Sequence, residues 1–319
     1  MRVVSLVIAV STVVGAVGCT DEQDELSDSS QGLVSDNRLS VNRLAVNRLA
    51  VNRLAVNRLA VNRLAVNRLS ANLSSMSDLL ATEEGQELLG YIVSCALPEG
   101  TVLEAKDPVT GDPLEFFGGL GLATRWLDKA LDKKGKRWVS ACLYARVNLH
   151  DVTVPISMRG PHRGLVTTPE ELTGWTKQEG AFYGDYFRPL SEPIEWIACR
   201  GKDQAAGEAG GLSERDCAEP DPANPGKTMC GFTYAGDCGD YEPPQSARAC
   251  RKFSQHGYWA ACRDSTDFGA SNNNGGHGSH DDDDDDGDHD HDDDNAHNHH
   301  SGCSGRATYH QVITTFTQP

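Results

Sequence analysis

The distribution of hydrophobic residues divides the chain into an apolar N-terminal run, a tandem repeat and a long segment of ordinary globular patterning. Arg2 precedes the apolar run 3–17, which has the length of a signal-peptide core and is too short to span a bilayer comfortably. Globular patterning begins at Met76. We therefore expect three segments ahead of the folded body: a signal peptide at 1–18, a polar tether at 19–35 and a repeat array at 36–74.

The array repeats Val-Asn-Arg-Leu-Ala with a period of five residues, which matches neither a helix face nor a strand face. On an α-helix, five steps of about 100° place successive leucines about 140° apart, so they spread around the cylinder. On a strand, the period of two puts alternate leucines on opposite faces. A solenoid with five-residue sides would keep every leucine equivalent, and the array is similar to the pentapeptide-repeat solenoids.

The array departs from that solenoid family at two places in each repeat. Leu44 stands where a small residue is usual, and Arg48 stands where glycine often turns the corner. About eight copies would give some two coils, whereas repeat stacks generally need three or more units. We therefore expect an irregular or helical tether rather than an independent solenoid, and a segment that wraps its own domain is the third alternative.

Arginine gives the array its charge, with seven copies and no acidic residue between Asn37 and Ser77. Near a membrane surface, each arginine would gain about 1 kcal/mol from anionic headgroups, and anionic polysaccharides are an equivalent partner. Nucleic acid is a weaker option because the array contains no aromatic residue for base stacking. The alternative is a simple solvated spacer. The arginines are Arg38, Arg43, Arg48, Arg53, Arg58, Arg63 and Arg68.

Helical periodicity appears three times in the body. Thr82 is a capping residue ahead of a helix that should run to about Ala96. A second helix is predicted after the charged segment 128–136, with its apolar face running from Trp138 to Val147. Thr168-Pro169-Glu170-Glu171 is a helix start, and Gly180 is the predicted end of that helix.

Strand patterns lie between these helices at 101–105, 114–117 and 152–158, and after the third helix at 194–199. Pro155 places the third of them near a sheet edge. The aromatic residues Phe182, Tyr183, Tyr186 and Phe187 are expected in the core rather than in a ligand cage. The predicted fold class is α+β: a small mixed helix/sheet domain at 76–198, followed by a loop-rich, disulfide-rich part of the same domain at 199–319.

Ten cysteines occur without any Cys-x-x-Cys pair, which favours disulfides and an oxidising compartment over zinc or redox motifs. Cys95 and Cys142 each lie on a predicted helix, and we favour a disulfide between them. Nine cysteines remain after Cys19, so one thiol is free or pairs with another molecule. The disulfide candidates are Cys95, Cys142, Cys199, Cys217, Cys230, Cys238, Cys250, Cys262 and Cys303.

The signal ends in Ala16-Val17-Gly18-Cys19, which resembles the lipobox of bacterial lipoproteins. That resemblance implies that Cys19 is acylated and becomes the new N-terminus. The attached chains would give stable membrane anchoring. The alternative is an ordinary signal peptide with Cys19 in a disulfide, but residues 20–30 are polar and offer no fold to crosslink.

An Asp/His-rich segment at 271–301 is expected to be a disordered insertion, because no packed core can absorb its charge. Eleven aspartates between Asp281 and Asp294 account for most of the formal charge of −17, so the rest of the chain carries only −17 + 11 = −6. Carboxylates suit calcium and imidazoles suit zinc, so the tract is a candidate for weak binding of Ca²⁺ or Zn²⁺. The candidate ligands are Asp282, Asp284, Asp286, Asp288, Asp290, Asp293, His289, His291, His297, His299 and His300.

The same tract partly matches the spacing of a calcium-binding loop over 282–293, with Gly287 at the sixth position. Any oligo-aspartate with one glycine would match, flanking helices are not evident, and the twelfth position is Asp293 rather than glutamate. Low-affinity metal buffering is therefore preferred over a defined calcium site. A merely solvated acidic loop is preferred over both.

A wider resemblance rests on the segments 139–146, 179–184 and 312–314 together with the pentapeptide array. These look like a group of uncharacterised predicted lipoproteins from myxobacteria, which carry Leu-Asn-Gly-Leu-Ala repeats in place of Val-Asn-Arg-Leu-Ala. The resemblance implies no known activity. It implies a bacterial lipoprotein of the cell outer membrane, exposed on the periplasmic or cell-surface side.

Catalytic sequence motifs are missing: the chain has no Gly-x-Ser-x-Gly elbow, His-Glu-x-x-His, phosphate loop or dinucleotide fingerprint. The histidines His150, His162, His256 and His310 are expected to be surface or satisfied core residues. We therefore expect a lipid-anchored envelope protein with a structural or interaction role and no catalytic residue. The alternatives are a hydrolase-type envelope enzyme whose site forms only in the fold, and a low-affinity metal binder.

Overall fold

The fold is a mixed α+β domain held by four disulfides, as the sequence predicts. It was obtained as a computed structural model. The residues that it describes are 61, 62, 64, 65, 68, 69, 77–147, 154–205, 215, 217–241, 248–264 and 307–319. The predicted signal peptide at 1–18, the polar tether at 19–35 and the insertion at 271–301 lie outside these residues.

Five helices and ten strands have bounds that the structure defines, and Val61, Asn62, Leu64 and Ala65 at the end of the repeat array are helical as well. The helices are α1 (Ser77–Leu80), α2 (Glu83–Ala96), α3 (Lys133–Ala145), α4 (Pro169–Gly174) and α5 (Lys202–Ala205), with 3₁₀ turns at Thr124–Leu127 and Arg163–Leu165. The strands are β1 (Val102–Lys106), β2 (Pro113–Phe117), β3 (Ser157–Arg159), β4 (Lys177–Asp185), β5 (Glu195–Arg200), β6 (Thr233–Asp237), β7 (Cys250–Phe253), β8 (Trp259–Arg263), β9 (Thr308–Tyr309) and β10 (Ile313–Thr317).

Helices α2 and α3 begin where side chains cap them. The hydroxyl of Thr82 accepts a hydrogen bond from the Gly85 N–H, which confirms the predicted start of α2. The carboxylate of Asp132 accepts from the Gly135 N–H at 2.6 Å, so α3 begins inside the segment that the sequence analysis treated only as charged. Both helices bury their apolar faces, which places Cys95 and Cys142 within bonding distance.

Helix α4 starts as predicted but ends six residues early. Thr168 and Glu171 form a capping box, with Pro169 at the first helical position. The helix stops at Gly174, and residues up to the predicted end at Gly180 belong to β4 instead. The helix expectation was wrong there because β4 is the central strand of a sheet covered on both faces, and that packing overrides local helix signals.

The central sheet has five strands in the order β3-β10-β4-β5-β6, antiparallel except for the β5–β6 pair. Strand β3 is at the edge, as Pro155 predicts, and within the described range 154–160 its paired residues are Ser157–Arg159. Helices α2 and α3 pack with one face, where Phe182 and Phe232 are buried. The small sheet β7-β8-β9 covers the other face, over Tyr183 and Cys199.

Four disulfides connect eight fully or almost fully buried cysteines. The predicted Cys95–Cys142 bond joins α2 to α3 and is confirmed. Because the other three bonds use six more cysteines, the two cysteines left over, Cys19 and Cys303, both lie outside the described residues. The remaining bonds are Cys199–Cys238, Cys217–Cys230 and Cys250–Cys262.

The end of the repeat array packs onto the domain. Leu64 and Leu69 have no exposed surface and belong to the same core as α2 and α3. The Leu131 N–H donates to the Ala65 carbonyl at 3.0 Å, and the Asn62 side-chain amide donates to the Arg188 carbonyl at 3.0 Å. These residues are packed, whereas the sequence analysis expected a connector up to residue 74. The earlier repeats lie outside the described residues.

Candidate functional site

Two neighbouring cavities meet at the turn that carries His162 and Arg163. The first has a volume of about 130 Å³ and lies between this turn and the start of α3, where Lys134 and Trp138 line it. The second has a volume of about 330 Å³ and extends from the same turn to Tyr258. Only the second reaches the size of typical small-molecule pockets, which is about 300–1,000 Å³.

The backbone fixes the position of the His162 side chain. Its Nδ1 accepts a hydrogen bond from the Gly164 N–H at 3.0 Å, which caps the 3₁₀ turn. Gly164 lies against the Leu120 carbonyl, and a Cβ at this position would come within 1.8 Å of that oxygen. The turn can therefore approach the 118–122 loop so closely only because residue 164 is glycine.

The imidazole of His162 is neutral and accepts a hydrogen bond through Nδ1. Its pKa is lowered to about 4, mainly by burial, and the charges of Arg163 and Lys134 contribute in the same direction. Because Nδ1 accepts from Gly164, the single proton of the neutral ring is on Nε2. The ring packs edge-on against Trp138, with the ring centroids 5.1 Å apart.

Positive charge dominates the smaller cavity. Arg125, Lys134 and Arg163 line it, and none of them forms an ion pair in the part of the chain that the structure describes. The one carboxylate in the lining belongs to Asp132, which caps α3 through the Gly135 N–H. The cavity is therefore suited to an anion rather than to a cation.

A second cluster of titratable groups lies at the end of the β4–β5 pair, where Asp185 and Glu195 are directly opposite each other. Burial raises the pKa of Asp185, and the charge of Glu195 raises it further. Glu195 pairs with Arg188 and accepts a hydrogen bond from the Tyr309 hydroxyl at 2.8 Å. Both carboxylate oxygens of Glu195 are thus occupied. Neither cavity described above includes Asp185 or Glu195. We therefore interpret this cluster as a structural network.

The metal ligands predicted in the Asp/His tract, from Asp282 to His300, lie outside the described residues, as does the lipidation candidate Cys19. Within the described residues, one group of side chains has metal-ligand spacing, namely Cys199, Cys250 and Cys262. Their sulfur atoms are held in disulfides, and the Sγ atoms of Cys199 and Cys250 are 3.4 Å apart. Because metal binding requires thiolates, this group is a contact between two disulfides rather than a metal site.

Two observations bear on the enzyme alternative. A hydrolase would need converging carboxylates in a cavity, or His162 beside a free cysteine. The two cavities contain one carboxylate between them, and every cysteine within the described ranges is in a disulfide. The enzyme alternative therefore stays a hypothesis with no assigned catalytic residue.

The cationic cavity was not predicted from the sequence, in which His162 is a lone histidine. One local signal was present, because Gly160 and Gly164 flank the histidine and indicate a tight turn. The partners of that turn come from α3 and from the loop before β8, which are separated from it along the chain. Spacing within the sequence cannot reveal such a site.

Comparison of the chain with protein-family models, with curated proteins and with solved structures finds no match. Among the described residues, no helix has the length and apolar character needed to cross a bilayer.

Proposed function

We propose that the protein is a lipid-anchored component of the bacterial cell envelope, whose disulfide-stabilised domain acts as an interaction module. The anchor is Cys19 at the end of the export signal, and the membrane is the outer membrane. The repeat array joins the anchor to the domain. Its arginines provide contacts for anionic envelope polymers or headgroups.

The four disulfides carry this proposal. Disulfides form and persist in oxidising compartments and are rare in the reducing cytosol. All eight cysteines within the described residues are paired and buried, and the bonds lie on both sides of the central sheet. A chain crosslinked in this way supports folding after export, which agrees with the signal peptide expected at 1–18.

Membrane fractionation tests the anchor. The wild-type protein should sediment with the membranes, whereas Cys19→Ala should appear in the soluble fraction because it lacks the acylation site. Cys303→Ala is the matched control, since it removes the other cysteine that no described disulfide uses, and it should remain in the membrane fraction. Mass spectrometry of the N-terminal peptide should show the added acyl chains.

Retention of Cys19→Ala in the membrane fraction would refute lipid anchoring at this residue. Peptide mapping under non-reducing conditions is an independent check on the compartment. It should recover the four bonds in protein isolated from the envelope. Recovery of free thiols at Cys95 and Cys142 would contradict an oxidising location.

A further inference from the structure

The smaller cavity combines positive charge that forms no ion pair within the described residues with N–H groups in its wall. Lys134 and Arg163 face it from α3 and from the His162 turn, and Arg125 lines it from the 3₁₀ turn before α3. The opposing carboxylate of Asp132 is already held by the Gly135 N–H. The cavity wall thus contains three cationic side chains and one carboxylate, so its net charge is positive.

Trp138 adds a donor that has no acceptor. The side chain is 2% exposed, lines the smaller cavity, and its Nε1–H has no hydrogen-bond partner among the described residues. Buried N–H groups are nearly always paired, so the wall of this cavity contains a buried donor whose hydrogen-bonding capacity is unused within the described residues. His162 lines the same cavity, and the proton of its neutral ring is on Nε2.

Cavity size limits what can bind. At about 130 Å³, the smaller cavity accommodates one oxyanion group and little more. The larger cavity, at about 330 Å³, shares His162 and Arg163 with it and accommodates a ring-sized organic body against Tyr258. The adjoining pair therefore matches a molecule with a charged head and a compact uncharged body.

The geometry points to a binding site for a small organic oxyanion, with its phosphate or carboxylate group against Lys134 and Arg163 and its ring in the cavity beside Tyr258. This inference rests on the proposed function and deepens it, since it gives the anchored domain a ligand class. Sugar phosphates and sugar acids are the two sources of this chemistry in an envelope polymer.

The electrostatics of His162 are consistent with this site. Burial is the main reason for its low pKa of about 4, and the field of Arg163 and Lys134 also contributes. The same field attracts an anion. A bound anion between these cations would screen them from the imidazole, so binding should raise the pKa of His162.

Titration of the purified full chain with four probes tests the site: inorganic phosphate, glucose 6-phosphate, glucuronate and uncharged glucose. Calorimetry should show saturable binding of glucose 6-phosphate or glucuronate that is tighter than binding of inorganic phosphate, and no binding of glucose. The stronger of the two sugar probes identifies the source. In NMR spectra, the indole N–H resonance of Trp138, assigned from Trp138→Phe, should shift during the titration.

Lys134→Gln and Arg163→Gln should each weaken binding about tenfold, because each removes a charged contact to the anion. Lys106→Gln is the matched control, since it removes an exposed lysine from β1, and its affinity should equal that of the wild type. Thermal unfolding establishes that the variants are folded. Absence of saturable binding of both anionic sugars, tight binding of glucose, or an equal loss in Lys106→Gln would overturn the assignment. Because this experiment uses purified protein, its failure is separate from failure of the membrane anchor.

Discussion

At the scale of single residues, the buried ion pair of Glu179 and Arg215 joins the central strand to the cysteine-rich segment. Their side chains are 0% and 1% exposed, and Arg215 Nε lies 2.9 Å from Glu179 Oε1. The guanidinium also donates to the Ala145 carbonyl at 2.6 Å, and the Thr315 hydroxyl donates to Glu179. Each charge is therefore compensated only as long as its partners stay in place.

Glu179→Ala should lower the free energy of unfolding by about 3–5 kcal/mol, because it removes the carboxylate that pairs with the buried Arg215 guanidinium. Urea unfolding at neutral pH measures this loss. The double variant Glu179→Leu/Arg215→Met should be more stable than Glu179→Ala, since it removes both charges. The exposed Glu104→Ala on β1 is the control and should change stability by less than about 0.5 kcal/mol. A loss of under about 1 kcal/mol for Glu179→Ala would contradict a buried pair.

His162 should make the domain less stable in mild acid. Its folded-state pKa of about 4 lies below the ordinary value of 6.5, so the unfolded chain takes up a proton that the folded ring resists. The contribution of the neutral His162 ring to the free energy of unfolding is therefore fully present above about pH 6.5 and is lost as the pH falls towards about 4. Burial is the main cause of this low pKa, and the charges of Arg163 and Lys134 act in the same direction, while the Trp138 ring packs against the imidazole.

Urea unfolding at about pH 7 and about pH 4.5 measures this effect. His162→Gln should lose less stability between the two values than the wild type, because glutamine does not titrate. His310→Gln makes the same change at an exposed histidine and should follow the wild type. If His162→Gln and the wild type have the same pH dependence, the imidazole does not titrate as described.

At the scale of secondary structure elements, two disulfides of similar burial close loops of very different length. Cys95–Cys142 spans 47 residues and joins two helices, whereas Cys250–Cys262 spans 12 residues across the β7–β8 pair. A crosslink stabilises mainly by restricting the unfolded chain, and the restriction grows with the logarithm of the loop length. The helix–helix bond is therefore expected to contribute more.

Replacing Cys95 and Cys142 with alanine should cost about 4 kcal/mol of unfolding free energy, and replacing Cys250 and Cys262 about 3 kcal/mol. The two double variants are matched, because all four sulfur-bearing residues are fully buried. Urea unfolding under non-reducing conditions gives both values. An equal or larger loss for the short loop would show that packing between the adjacent disulfides outweighs loop closure.

Local signals predicted the elements well where the cause is local. The Thr82 cap and the helix start at Thr168 both follow from residues within one turn of a helix. Strand β4 (Lys177–Asp185) was not predicted at all, because its environment comes from β10, β5 and α3. Burial on both faces of a central strand is a tertiary property, which the sequence of the strand alone does not contain.

At the scale of the whole molecule, the cationic cavity and the end of the repeat array share one loop. Leu131 lines the cavity, and its N–H is bonded to the Ala65 carbonyl of the array. The five-residue period does not show which copies pack onto the domain, because the copies are nearly identical and only tertiary contacts distinguish them. The cavity likewise depends on tertiary contacts. The α+β class was predictable, because successive segments of the sequence have either the hydrophobic periodicity of a helix or that of a strand.

Identical repeats permit a matched test of where the domain begins. Leu64→Ala should lower the unfolding free energy by about 2–5 kcal/mol, because Leu64 is fully buried in the main core. Leu44→Ala makes the same change within the same five-residue context, and under the proposed connector it should cost less than about 0.5 kcal/mol. Urea unfolding of both variants gives the comparison. Equal losses would extend the packed body along the array and favour a solenoid, whereas no loss at Leu64 would exclude the final repeats from the core.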